Sequence, residues 1–283
     1  MDAYDHGLAA DLEALMNMDS TRRRSLRWLL AGAATLPLMA CGGGSVGTGT
    51  GSSSSGSSGT GSTGTATASC TVIPEETGGP YPGDGTNSNA GGIVNVLTQT
   101  GVVRSDIRSS FNGASGMAAG IALTIKLKIV NANNSCGAAG EFAVYLWHCD
   151  REGRYSLYSS GVTDQNYLRG VQGADANGEL TFTTIFPGCY DGRMPHVHFE
   201  VYRSLAQSSS ASNRIKTSQF TFPMATLNEV YATTGYSSSA SNLSRISYTT
   251  DNVFSDGYSL QLGTMSGNLT DGYVVTLTVA VAA

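Results

Sequence analysis

Pro195-His196-Val197-His198-Phe199-Glu200-Val201-Tyr202 alternates in the manner of a β-strand, and its reading decides the fold. Side chains two apart on a strand leave from the same face, so His196 and His198 can point at one ion. Similar runs occupy 121–129, 141–147, 179–185, 219–222 and 273–281, rich in β-branched and aromatic residues, with Gly, Asn, Asp and Ser filling the gaps. Residues 224–236 hold at most a short helix or turn around 227–231, and the Ser-rich passage 204–213 reads as a surface loop. Several short strands without a long amphipathic helix imply an all-β, antiparallel β-sandwich.

Neutral imidazoles suit zinc, copper, nickel or iron, so the histidine pair leaves the metal open. Just upstream stands Pro187-Gly188-Cys189-Tyr190-Asp191-Gly192-Arg193-Met194. A phenol with a reference pKa of about 10 ionises at neutral pH only when a strong Lewis acid pulls on its oxygen. Tyr190 beside the pair therefore points to ferric iron. The plain alternative is two half-exposed histidines on a strand.

Three further segments precede this one: Trp147-His148-Cys149-Asp150-Arg151-Glu152-Gly153-Arg154-Tyr155, then Tyr167-Leu168-Arg169-Gly170, then Phe182 to Gly188. With Cys70-Thr-Val-Ile-Pro-Glu-Glu-Thr-Gly-Gly-Pro-Tyr81 they give an order that resembles the intradiol ring-cleavage dioxygenases, the family of protocatechuate 3,4-dioxygenase and catechol 1,2-dioxygenase. The resemblance runs from about Cys70 to Phe222, with a weaker echo to the C-terminus.

The resemblance implies a non-haem Fe(III) held by Tyr155, Tyr190, His196 and His198. Tyr155 matches the tyrosine of a Trp-x-x-Asp-x-x-Gly-x-Tyr segment; Tyr167 competes for that role but sits in the Leu-Arg-Gly segment. Arg193 matches the family arginine that lies against the aromatic ring and stabilises its developing negative charge, a task suited to a group that stays protonated. Gln219 resembles the glutamine that accompanies it. The structural alternatives are a turn arginine paired to Asp191 and an exposed strand residue. The implied reaction takes a catechol-type ring and O2, cleaves between the two hydroxyl-bearing carbons and gives a muconate-type diacid, with Tyr190 leaving the ion as substrate binds. Tyr81 and Trp147 are candidate walls of a mostly apolar pocket. Only five residues separate Tyr190 from His196, and nothing resembles the helical dimer-forming domain of catechol 1,2-dioxygenases, so substrate and oligomeric state stay open.

Residues 1–40 read as a twin-arginine lipoprotein signal. Arg22-Arg23 precede the apolar run 28–40, and Leu38-Met39-Ala40-Cys41 resembles a lipobox. Cys41 would then carry lipid, with the domain exported to the periplasm or cell surface. The apolar run is shorter than the roughly 20 residues a spanning helix needs. Residues 41–69 are almost wholly Gly, Ser, Thr and Ala, a composition that cannot bury enough apolar surface to offset ordering entropy. As a coil, such a tether reaches roughly 30 Å r.m.s.. Residues 70–283 make one domain of ordinary size.

A net charge of -5 with no Lys or Arg cluster outside the signal argues against nucleic-acid binding. Gly47-Thr-Gly-Thr-Gly51 lacks the strand–helix context of a phosphate loop. Besides Cys41 there are Cys70, Cys136, Cys149 and Cys189, which permit two disulfides in three connectivities; none has the spacing of a zinc knuckle. Two other classes fit the chain: a non-catalytic metal- or catechol-binding surface lipoprotein, and a metal-free structural one.

Overall fold

The computed structural model of the chain describes residues 70–283. The signal expected over 1–40 and the linker expected over 41–69 lie outside the described residues.

Two sheets face each other. The first holds β3 (Ala122–Asn131) at its centre, with β7 (Glu179–Ile185) antiparallel and β11 (Gly272–Val281) parallel to it; β10 (Thr264–Asn268) pairs β11, and the short β4 (Gly137–Ala138) pairs the end of β3. The second runs in the order β6 (Arg169–Gly173), β5 (Ala143–Trp147), β8 (His196–Tyr202), β9 (Arg214–Thr221), antiparallel throughout. A separate hairpin joins β1 (Asp84–Asn89) to β2 (Gly92–Asn95). The all-β sandwich is as expected, except that the first sheet is mixed. A parallel neighbour needs a crossover, and β11 reaches β3 after the chain has passed through the helical segments of 224–243.

Period-two alternation accounts for the core. Leu123, Ile125, Leu127 and Ile129 of β3, Leu180 and Phe182 of β7 and Val275 and Val279 of β11 pack with Val144 and Leu146 of β5, Val197, Phe199 and Val201 of β8 and Phe220 of β9. Each such side chain contributes about 1.5–3 kcal/mol relative to exposure. Lys126 and Lys128 take the solvent positions of β3.

The opposite face of the second sheet is buried too. Ala143, Tyr145, Trp147, Val171 and Tyr202 pack there with Val96, Leu97, Val102, Cys149 and Tyr155. The covering comes partly from the segment that begins at Cys70, which is disulfide-bonded to Cys136. It pairs first with the end of β11 (Ile73 N to Ala280 O, 3.0 Å), then with β9 (Glu76 N to Thr217 O, 2.9 Å). His196 and His198, on the face opposite Val197 and Phe199, therefore sit beneath a polypeptide strap.

The helix expected near 227–231 is α1 (Met224–Tyr231), and a second, α2 (Ser237–Leu243), follows it. The Ser-rich 204–213 loop contains two short 310 turns, with Ser208 and Ala211 buried. Only one disulfide forms among the described cysteines; Cys149 and Cys189 are free and buried, so the two-bridge option is not realised.

Candidate metal centre

The Trp147-x-x-Asp150-x-x-Gly153-x-Tyr155 segment folds around one buried carboxylate. Asp150 Oδ1 accepts from the backbone N–H groups of Glu152 and Arg154 at 3.0 and 2.9 Å, while Oδ2 accepts from Arg154 Nε at 3.0 Å. This is the aspartate side chain mimicking a turn, and it fixes the chain up to Arg154, the residue before Tyr155. The second tyrosine segment lies directly on this turn: Gly188 N donates to Asp150 O at 3.0 Å. A Cβ on Gly188 would meet the Arg151 carbonyl oxygen at 2.6 Å, so only glycine allows the two backbones this close.

Helix α2 binds both segments. Ser239 Oγ accepts from Cys189 N at 2.9 Å and donates to Arg151 O at 3.2 Å, and Asn242 Nδ2 donates to Cys189 O at 2.7 Å. From the other side, Arg169 donates to Ser156 Oγ (3.0 Å), Ser156 O (3.0 Å), Pro82 O (2.7 Å) and Tyr81 O (2.9 Å), tying the Tyr155 turn to the strap.

The four expected ligand side chains converge. His196 Nε2 lies 3.0 Å from His198 Nε2, 3.3 Å from Tyr155 Oη and 3.3 Å from Tyr190 Oη. Tyr155, His196 and His198 are buried, and Tyr190 is partly exposed. His196 Nδ1 donates to Met194 O at 2.6 Å, which puts the proton on Nδ1 and leaves the Nε2 lone pair turned toward the cluster. His198 stacks on Trp147, rings 4.9 Å apart and 3° from parallel. Burial holds both imidazoles well below their usual pKa; Arg193 adds to this for His196, and His196 then Arg193 add to it for His198. Both rings are neutral at pH 7 and free to act as ligands.

Tyr167 is elsewhere. Its hydroxyl donates to Asp150 Oδ2 at 3.3 Å, and its ring packs with Ala118, Val162, Leu168 and Ile185. Of the two candidates for the first tyrosine, Tyr155 is the one beside the histidines. The candidate wall residue Tyr81 has its ring 5.1 Å from that of Tyr155.

Arg193 is fully buried and is not paired with Asp191, which instead binds Arg245 at 2.8 Å. Its Nε donates to Asp251 Oδ2 at 3.0 Å and its Nη2 to Gln219 Oε1 at 2.7 Å. Gln219 is buried, faces His198 across the β8–β9 ladder, and donates from Nε2 to Thr77 O at 2.8 Å. The exposed-strand reading of Gln219 is thus replaced by a buried contact with the arginine.

Residues 103–208 match the family model Dioxygenase_C, described as a dioxygenase. The fold superposes on an intradiol ring-cleavage dioxygenase from Tetranychus urticae with a TM-score of 0.58 and 24% identity, covering 75% of this chain and 95% of that one. The described domain has the fold of an intradiol ring-cleavage dioxygenase. A dioxygenase domain from Streptomyces sp. SirexAA-E aligns at a TM-score of 0.46 and 21% identity over 75% of this chain and 99% of that one. Catechol 1,2-dioxygenase from Pseudomonas arvilla C-1 aligns at 0.41 and 18% over 65% and 59%. No curated protein matches the chain.

The family-model match includes Tyr155, Tyr190, Arg193, His196 and His198 and ends before Gln219. Asp251, Ser239, Asn242 and Arg169 were not singled out from the sequence. Asp251 gives no local signal, since its partner lies 58 positions away. Arg169 stands in the Leu168-Arg169-Gly170 segment, but nothing in that tripeptide announces that a guanidinium is buried there.

As a ligand set, two neutral imidazoles and two phenols are oxygen and nitrogen donors without thiolate or carboxylate. Phenol oxygens match a hard, strongly charged cation better than zinc or copper(I), whose affinities favour softer donors. Three such atoms gathered within 3.0–3.3 Å of a fourth, His196 Nε2, fit ferric iron.

Proposed function

We propose that Tyr155, Tyr190, His196 and His198 hold a non-haem Fe(III), and that the domain cleaves a catechol-type ring between its two hydroxyl-bearing carbons. The observation that carries this reading is the convergence of the two phenol oxygens on the paired imidazole nitrogens. When bound there, ferric iron supplies Lewis acidity and an electron acceptor for the electron-rich catecholate.

The protein's own groups do the rest. Met194 O holds the His196 proton on Nδ1. Tyr190, the more exposed of the two tyrosines, is the better placed to move and to take a substrate proton at Oη. Arg193 sets a fixed positive charge beside the histidines, opposing the negative charge that develops on the ring. The reaction balances as catechol plus O2 to a muconate-type diacid, with both oxygen atoms in the product.

The domain works, on this reading, outside the cytoplasm on a lipid attached at Cys41. The Cys70–Cys136 disulfide favours an oxidising compartment. A non-catalytic module that only captures catechols would keep the same ligands and is separated by one experiment. Iron-loaded protein given catechol under 18O2 should consume oxygen and yield a diacid carrying two labelled atoms. Binding of catechol with no oxygen uptake would establish the binding module instead.

A further inference from the structure

Asp251 lies in the Ser/Thr-rich loop after α2, and its side chain is as buried as any in the molecule, with no solvent exposure. All four of its contacts are donors. Oδ1 accepts from the backbone N–H groups of Val253 and Phe254 at 2.8 and 3.0 Å. Oδ2 accepts from Arg193 Nε at 3.0 Å and from Met194 N at 2.7 Å. A single carboxylate oxygen therefore grips both the side chain of Arg193 and the peptide that follows it.

We propose that Asp251 is a positioning residue that acts through Arg193, fixing the direction of its guanidinium relative to the paired histidines; this rests on the function proposed above. Gln219 Oε1 accepts from Nη2 at 2.7 Å. Asp251 accepts from Nε on that same edge of the guanidinium and supplies a counter-charge of the kind a buried cation needs. The Oδ1 caps hold the carboxylate in turn, so the position of Arg193 is set by a loop 58 residues downstream. An asparagine could keep the Oδ1 caps but would present an amide N–H₂ to two donors.

Two measurements test this on the full domain. In iron-free protein, a 15N–1H spectrum should show a protected Arg193 Nε–H signal that disappears in Asp251→Asn while the backbone signals of the sandwich persist. In iron-loaded protein, Asp251→Asn should lower kcat about 10–100-fold with iron content unchanged and KM moved less. The same change made in an Arg193→Gln background should lower kcat by no more than about twofold, since the residue it acts through is gone. Equal fold-losses in both backgrounds would mean Asp251 only holds the loop, and would overturn the proposal. If Asp251→Asn does not fold, the Arg193→Gln, Asp251→Asn pair replaces both ions by neutral amides, and its kcat against Arg193→Gln decides. A wild-type protein without turnover would refute the proposed function, while the Arg193 Nε–H signal would still decide the role of Asp251.

Discussion

Gly153 lies against Tyr190: a Cβ on Gly153 would come within 3.0 Å of the Tyr190 Cβ, and Gly153 has φ +83°. The residue that ends the first tyrosine turn thus touches the second tyrosine. Both the backbone conformation and the lack of a side chain are required there. Gly153→Ala should cost about 1–3 kcal/mol, read as a lower urea midpoint, and should move any tyrosinate absorption by displacing Tyr190. An unchanged midpoint would show that the turn has room.

Arg193→Ala should reduce turnover far more than iron content. Loss of a preorganised electrostatic group costs about 10²–10³ in kcat, while Asp251 and Gln219, which the guanidinium binds, are not among the four proposed ligands. The variant should also be less stable by about 3–5 kcal/mol, because Asp251 is left buried without its partner. Turnover within twofold of wild type would remove Arg193 from the mechanism.

His148 gives a pH signature. Burial pushes its pKa down to about 4; Nδ1 lies 2.8 Å from Cys149 O and Nε2 2.7 Å from Thr184 Oγ1. Its unfolded value is about 6.5, so between the two the unfolded chain binds more protons and stability rises with pH. The contribution is complete above about pH 6.5 and is lost as pH falls toward about 4, up to about 3 kcal/mol. His148→Gln should therefore lose less stability than wild type between pH 7 and pH 5 in urea titrations. Parallel losses would show that His148 titrates normally.

Thiol counting on the denatured, unreduced domain should find two free thiols, Cys149 and Cys189, and four after reduction. Removing Cys70 and Cys136 together should cost about 2–5 kcal/mol. That loss should free the start of the strap that runs on to Thr77 and Tyr81. Four free thiols before reduction would exclude the bridge.

The export reading predicts that Arg22→Lys with Arg23→Lys leaves the protein unprocessed and cytoplasmic. Normal lipidation at Cys41 in that variant would contradict it.

What could be read from the sequence was what is local. The β8 alternation is encoded within a few residues and made the His196–His198 pair legible, whereas Tyr155 as a candidate ligand came only from the family resemblance. Strand β1, Asp-Gly-Thr-Asn-Ser-Asn, carries no apolar alternation and was invisible; it is held by the hairpin and by Arg214, which pairs Asp84 at 3.5 Å. Helix α2, Ser-Ser-Ser-Ala-Ser-Asn-Leu, has poor helix propensity and exists because Ser239 and Asn242 bond the tyrosine segments. The Arg193–Asp251 pair and the parallel β3–β11 ladder are long-range facts that no window of sequence contains.

The most direct test of the ferric dioxygenase account is the visible absorption spectrum of the purified domain, before and after catechol is added without oxygen. The account predicts a broad tyrosinate-to-Fe(III) band that shifts to longer wavelength when catechol binds. A protein that stays colourless after Fe(III) reconstitution would contradict the assignment of Tyr155, Tyr190, His196 and His198 as its ligands.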